Sequence, residues 1–231
     1  VLVRDPDPDP DPDPDPDPDP DPAAGGVRGS VLDLLKMRAL WPIFPVMFVA
    51  YAPAAAIRGL WIGPYLSDIY ALSTVQVGQA SLVMGLAMIA GTLIYGPLDR
   101  LFGTQKGVIF WGNLACAACI LALVPLVPLV GQGLGTAIAL CAALGLFGAT
   151  FPIIIAHARG FIPGHMAGRG VTLMNLFTMG GVGVMQFVCG PLHTAASVQG
   201  AAGGYAIPFA FFGGALLLGT LIYLFSRDSA P

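Results

Sequence analysis

Six long apolar stretches, at about 41–66, 79–95, 107–127, 134–155, 171–192 and 205–225, fix what this chain can fold into. Each approaches or exceeds the roughly 20 apolar residues that cross a bilayer as a helix, and each ends at a break rich in Gly, Pro or charge. In lipid the backbone must satisfy its own polar groups, so such stretches become helices. The expected fold class is an all-α integral membrane domain of six transmembrane helices. Composition agrees: 56% of residues are hydrophobic and 10% charged, where a soluble domain carries about 25% charged residues.

The charge of -3 describes one end of the chain. Residues 5–22 are an Asp-Pro repeat, and there is no glutamate. Proline fixes φ and the aspartates repel one another, so the repeat stays extended at about 3.1 Å per residue and buries no core. The expected layout is a linker or tail at 1–30, a cytoplasmic lead-in at 31–40 (amphipathic over 32–40, with Lys36 and Arg38), a membrane domain at 41–226, and a cytoplasmic end at 227–231. No cleavable signal segment is visible at the start.

The cations sort by side. Arg28, Lys36 and Arg38 precede the first stretch, Arg100 and Lys106 follow the second, Arg159 and Arg169 follow the fourth, and Arg227 follows the sixth. The intervening breaks near 67–78, 128–133 and 193–204 hold none. The positive-inside rule then places both ends of a multi-pass inner-membrane protein in the cytoplasm. Only Arg58 departs from the pattern.

Few residues offer chemistry. Cys116, Cys119, Cys141 and Cys189 lie in apolar runs, and a single C-x-x-C without a second ligand pair reads as packing. His157 and His165 belong to one end of the domain and His193 to the other, so they converge on no metal and read as solvated interface residues. No stretch has a central Asp, Glu or His, and no G-x-S-x-G occurs, so an enzyme is not expected, nor a cofactor or metal. Gly180, Gly181, Gly183, Gly213 and Gly214 follow no strand and serve close helix packing instead of phosphate binding.

The break after the second stretch reads Gly96-Pro97-Leu98-Asp99-Arg100-Leu101-Phe102-Gly103-Thr104-Gln105-Lys106. It resembles the cytoplasmic loop between the second and third helices of each half of the major facilitator superfamily. The Gly-to-Gly spacing agrees, the Asp-Arg pair sits one residue early, and the later cations thin to Lys106. Phe151-Pro152, Arg159-Gly160-Phe161-Ile162-Pro163 and Gly168-Arg169-Gly170-Val171-Thr172-Leu173-Met174-Asn175 are similar to that family's segment before and into its eleventh helix. The resemblance implies the C-terminal six of twelve helices, built as two inverted three-helix repeats. It implies a gating role for Gly96, Asp99, Arg100, Gly103 and Lys106, and puts the Asp-Pro tail in the position of the central loop. It also implies a second six-helix half as partner.

Within the first stretch, Arg58 at mid-bilayer costs about 2.5–3.5 kcal/mol and calls for a partner or a wet cavity. Helical counting puts Tyr51, Arg58, Trp61 and Tyr65 on one face, a candidate clamp for an anion. Organophosphate transporters of the superfamily carry an arginine at about this level of the equivalent helix. The bland alternative is Arg58 reaching the outer interface beside belt aromatics. In the fifth stretch Asn175, Thr178 and Gln186 share a face that lines a substrate path or bonds to a neighbouring helix. The expected function is secondary active transport of a small solute, an anion by Arg58, by alternating access; no nucleic acid partner is implied. The alternative is a split gene product or a membrane scaffold without transport of its own.

Overall fold

The computed structural model describes residues 29–127, 132–198 and 200–228, without the side chains of 99, 100, 201 and 202. The Asp-Pro repeat and residues 229–231 lie outside the described residues. The chain divides after Ser30, and the unit that begins at Val31 holds all the helices described here.

Six helical spans are long and apolar enough to cross a membrane: Ile43–Tyr70, Thr74–Leu98, Gln105–Leu126, Leu134–Arg159, Gly164–Ser197 and Gly203–Tyr223. Among the described residues there is no strand. A short helix, Val31–Lys36, replaces the longer lead-in expected to residue 40. Met37–Pro42 turns follow it, with Trp41 donating to Leu35 O at 3.0 Å.

Spans one and four are both discontinuous, and prolines set the breaks. A proline at position i removes the bond to the carbonyl at i−4 and crowds it. Pro152 therefore frees the Gly148 carbonyl, and a 3-10 turn, Gly148–Thr150, interrupts the fourth span with Ala149 at ψ 21°. Pro64 frees the Leu60 carbonyl, next to a π-helical turn at Ile57–Trp61 closed by the Ile62 N–H on Ile57 O.

The second span departs most from expectation. Its helix runs Thr74–Phe102, beginning at a Ser73–Gln76 capping box and ending at Gly103, whose φ of 64° is left-handed. The predicted loop from Gly96 to Lys106 is thus mostly helix, and the turn is only Gly103 and Thr104. Pro97 sits inside that helix because one lost bond in so long a helix is tolerated. Hydropathy falls at the polar residues, but the helix does not stop there. The fifth helix, Ala167–Ser197, likewise starts before and ends after its apolar stretch.

Packing follows an inverted repeat. The second span packs on the fourth as the first packs on the fifth, the first on the sixth as the third on the fourth, and the third on the sixth. Two equivalent contacts depend on glycine: a Cβ on Gly91 would meet Leu146 O, and one on Gly181 would meet Phe48 O. These backbones approach closely because no side chain separates them. The core centres on the sixth span, where Tyr205, Phe209, Phe212 and Tyr223 are buried with Tyr65 of the first.

Candidate functional site

The π turn decides where the first span's polar residues point. It adds a residue to one turn, so positions on its two sides no longer keep helical register. Tyr51, half-buried, packs against Phe151 of the fourth span, ring centroids 4.6 Å apart. Trp61 packs on His193 at 4.8 Å and Tyr205 at 6.5 Å. Its Nε1 is buried and makes no hydrogen bond among the described residues. Tyr65 is fully buried, bonded to the Tyr70 hydroxyl at 3.3 Å and edge-on to Phe209 at 5.1 Å. The expected common face of Tyr51, Arg58, Trp61 and Tyr65 is therefore corrected. Tyr51 packs toward the fourth span, while Trp61 and Tyr65 both pack on Tyr205 of the sixth.

Arg58 alone is exposed. It makes no hydrogen bond or ion pair among the described residues, and its Nε stands 3.7 Å from where a Cβ on Gly85 would be. Glycine at that point of the second span leaves the guanidinium room. The second span, beside which it lies, is the least covered of the six. In the most apolar window of the second span 17% is buried, and of the fifth 28%, against 56% for the first and 44% for the third, fourth and sixth.

On the fifth span Thr178 is buried and donates to Met174 O of its own helix at 3.0 Å. Its hydroxyl is used locally. Asn175 is exposed and Gln186 half-buried, so those two remain available and Thr178 does not.

At the cation-bearing end, Gly96 is exposed with open space around it, and Gly103 makes the turn. The Asp99 and Arg100 side chains lie outside the described residues. Lys106 donates its amine to Leu224 O at 2.8 Å and to Ser226 O at 2.6 Å. His157 is corrected from a solvated residue to a fully buried one, 2.7 Å from the Tyr223 hydroxyl through Nδ1. At the opposite end Tyr205 donates to the Asp68 carboxylate, tying the first span to the sixth. Sequence reasoning missed Tyr205, Phe151 and Asp228 as partners, because nothing in the linear pattern pairs residues so far apart.

Two open apolar recesses, of about 650 and 430 Å3, lie between helices and include none of the predicted site residues. The sequence model of the Major Facilitator Superfamily matches residues 11–231. The chain belongs to the Major Facilitator Superfamily. Among curated proteins none matches it. A facilitator domain of this size is half-size, and broken spans suit a carrier, in which irregular backbone is tolerated only against protein or a water-filled cavity.

Proposed function

We propose that the chain is one half of a secondary carrier that moves a small anionic solute by alternating access, with Arg58 as the cation that meets the anion. Arg58 carries the reading. It is a permanent charge at the π turn of a broken span, exposed, without a polar partner among the described residues, beside the least covered span. A charge left unpaired at that depth is costly unless it faces water or a ligand. Tyr51, Trp61 and Tyr65 then shape the span around it, and Asn175 and Gln186 contribute polar groups from the fifth span.

The partner is a second six-helix half seated on the second and fifth spans. Their outward residues include Leu82, Leu86, Leu93, Leu176 and Phe187, all strongly exposed. The cation-bearing end faces the cytoplasm in this reading, and Gly96, Asp99, Arg100, Gly103 and Lys106 form the gate on that side.

The test is uptake of a panel of phosphorylated and carboxylated solutes in vesicles containing both halves. Arg58→Ala should abolish uptake of the transported anion, and Arg58→Lys should keep a fraction, since it retains charge but loses the planar fork. Normal transport by Arg58→Ala would refute the assignment. No uptake of any solute by the paired wild type would refute the transport reading itself.

A further inference from the structure

The smaller recess, of about 430 Å3, lies toward the cation-bearing end and has no part in the transport reading. Trp41, Phe44 and Phe48 line it from the entry and first helix of the first span, Phe177 from the fifth, and Ala215 and Leu218 from the sixth. No charged side chain is among its lining residues. Phe44 and Phe177 stack at 4.5 Å, while Trp41 and Leu218 are 63% and 61% exposed, so the recess has a fixed aromatic wall and opens sideways. Along the sixth helix it runs from Ala215 to Ile222, about 10 Å at 1.5 Å per residue. That is most of the hydrocarbon of one leaflet, about 15 Å.

The lead-in builds the surface end of this recess. Trp41 donates its Nε1–H to Leu35 O at 3.0 Å and its backbone N–H to Arg38 O at 3.3 Å. Leu34 and Leu40 are fully buried, so the turn between the short helix and the first span is pinned to the bundle. Lys36 closes the last turn of the short helix, and Arg38 stands one turn of chain before Trp41. Both cations are exposed, and their side chains make no hydrogen bond or ion pair among the described residues. Asp33 belongs to the first turn of the short helix, at its other end. An apolar slot at acyl-chain depth thus adjoins two uncommitted cations at the membrane surface.

We propose that this recess holds an acyl chain of an anionic phospholipid from the leaflet at the cation-bearing end, with Lys36 and Arg38 meeting the phosphate. Basic clusters at the ends of membrane helices attract anionic head groups, and the recess gives the chain of such a lipid apolar surface to cover. Trp41 suits the boundary between the two, since its ring is amphipathic and belongs at head-group level. A phosphocholine head brings its own cation to Lys36 and Arg38 and gains less from them. Water gains nothing from an apolar slot, and a soluble anion makes no use of it. The site needs the bilayer but neither Arg58 nor a second half, so it stands or falls apart from the transport reading.

Lipid competition on the purified full chain tests it. The chain in detergent micelles receives equimolar phosphatidylglycerol and phosphatidylcholine with identical acyl chains, and native mass spectrometry counts the lipids each chain retains. Wild type should hold one phosphatidylglycerol in preference to phosphatidylcholine by about 25-fold, about fivefold for each cation. The double change Lys36→Gln with Arg38→Gln should lose that preference and one phosphatidylglycerol from the count. Ala215→Phe fills the slot and should lose the same lipid with both cations in place. A wild type that retains the two lipids equally overturns the proposal, as does either variant holding phosphatidylglycerol like wild type. If Ala215→Phe fails to fold, the double change at the two exposed cations decides: an undiminished phosphatidylglycerol count in it overturns the site.

Discussion

Replacing Gly181 with alanine tests the closest helix contact in the bundle. The added methyl would stand on the carbonyl of Phe48, with the carbonyl carbon at 2.7 Å and Phe48 Cα at 3.0 Å. Those are backbone atoms of the first span, so no rotamer change relieves them and the two helices must separate. Separation also disturbs the stacked pair Phe44–Phe177 nearby, whose centroids are 4.5 Å apart. Overpacking of this kind costs about 1–3 kcal/mol. The Gly-to-Ala gain in helix propensity, about 0.8–1 kcal/mol, is removed by comparison with Gly180→Ala on the same helix, where a Cβ meets nothing within 4 Å. For a domain of this size 1 kcal/mol moves Tm by about 2–4 °C, so Gly181→Ala should melt about 2–12 °C below Gly180→Ala. Cys189, buried on the same helix, provides the readout through a thiol-reactive dye during heating. Equal melting temperatures for the two variants would refute the argument that Gly181 sets the helix spacing.

The inverted repeat predicts the same penalty at Gly91, which faces Leu146 O, and none at Gly96, which faces open space; paired thermal melts of the two alanine variants check it. For topology, Val198 and Phe225 are strongly exposed at opposite ends of the bundle. Cysteine at Val198 should react with an impermeant reagent on intact cells and cysteine at Phe225 only after lysis, and the reverse order overturns the orientation. The hydrogen bond from Tyr205 to Asp68 should give a coupling of about 1 kcal/mol in a double-mutant cycle of Tyr205→Phe and Asp68→Asn. Additive melting shifts would mean the pair does not tie the first span to the sixth.

The spans were legible because lipid removes alternatives. A stretch of apolar residues between polar breaks has one way to satisfy its backbone in a bilayer, and hydropathy reads that directly. The ends of the spans were less legible. Thr74, Ser81 and Gly96–Arg100 lower the local hydropathy of the second span, yet the Ser73–Gln76 capping box and Gly103 are the features that start and stop its helix. Capping chemistry fixes where a helix ends, and an average over side chains does not register it. The burial of His157 is hidden for a similar reason. Its position near a polar turn suggests water, but the segment at 224–228 folds back over it and supplies the partners.

The candidate face of the first span shows a sharper limit. Tyr51, Arg58 and Tyr65 are seven apart, which keeps one face only while every turn has the same number of residues. The π turn at Ile57–Trp61 breaks that condition in the middle of the series. A single extra residue per turn rotates everything beyond it by roughly a quarter to a third of a turn, enough to move Tyr65 from beside Arg58 into the core against Phe209. The sequence does hold a clue: Pro64 denies Leu60 its acceptor bond, so the helix must adjust within the preceding turn. What it lacks is the choice among a kink, a 3-10 turn and a π turn. The fourth span, next to its own Pro152, takes the 3-10 solution. That choice is made by packing: Ala54 lies against Gly148, so a bulkier backbone excursion in the fourth span would strike the first. The register of the first span therefore depends on its neighbours, and a face inferred from one helix alone holds only up to its first proline.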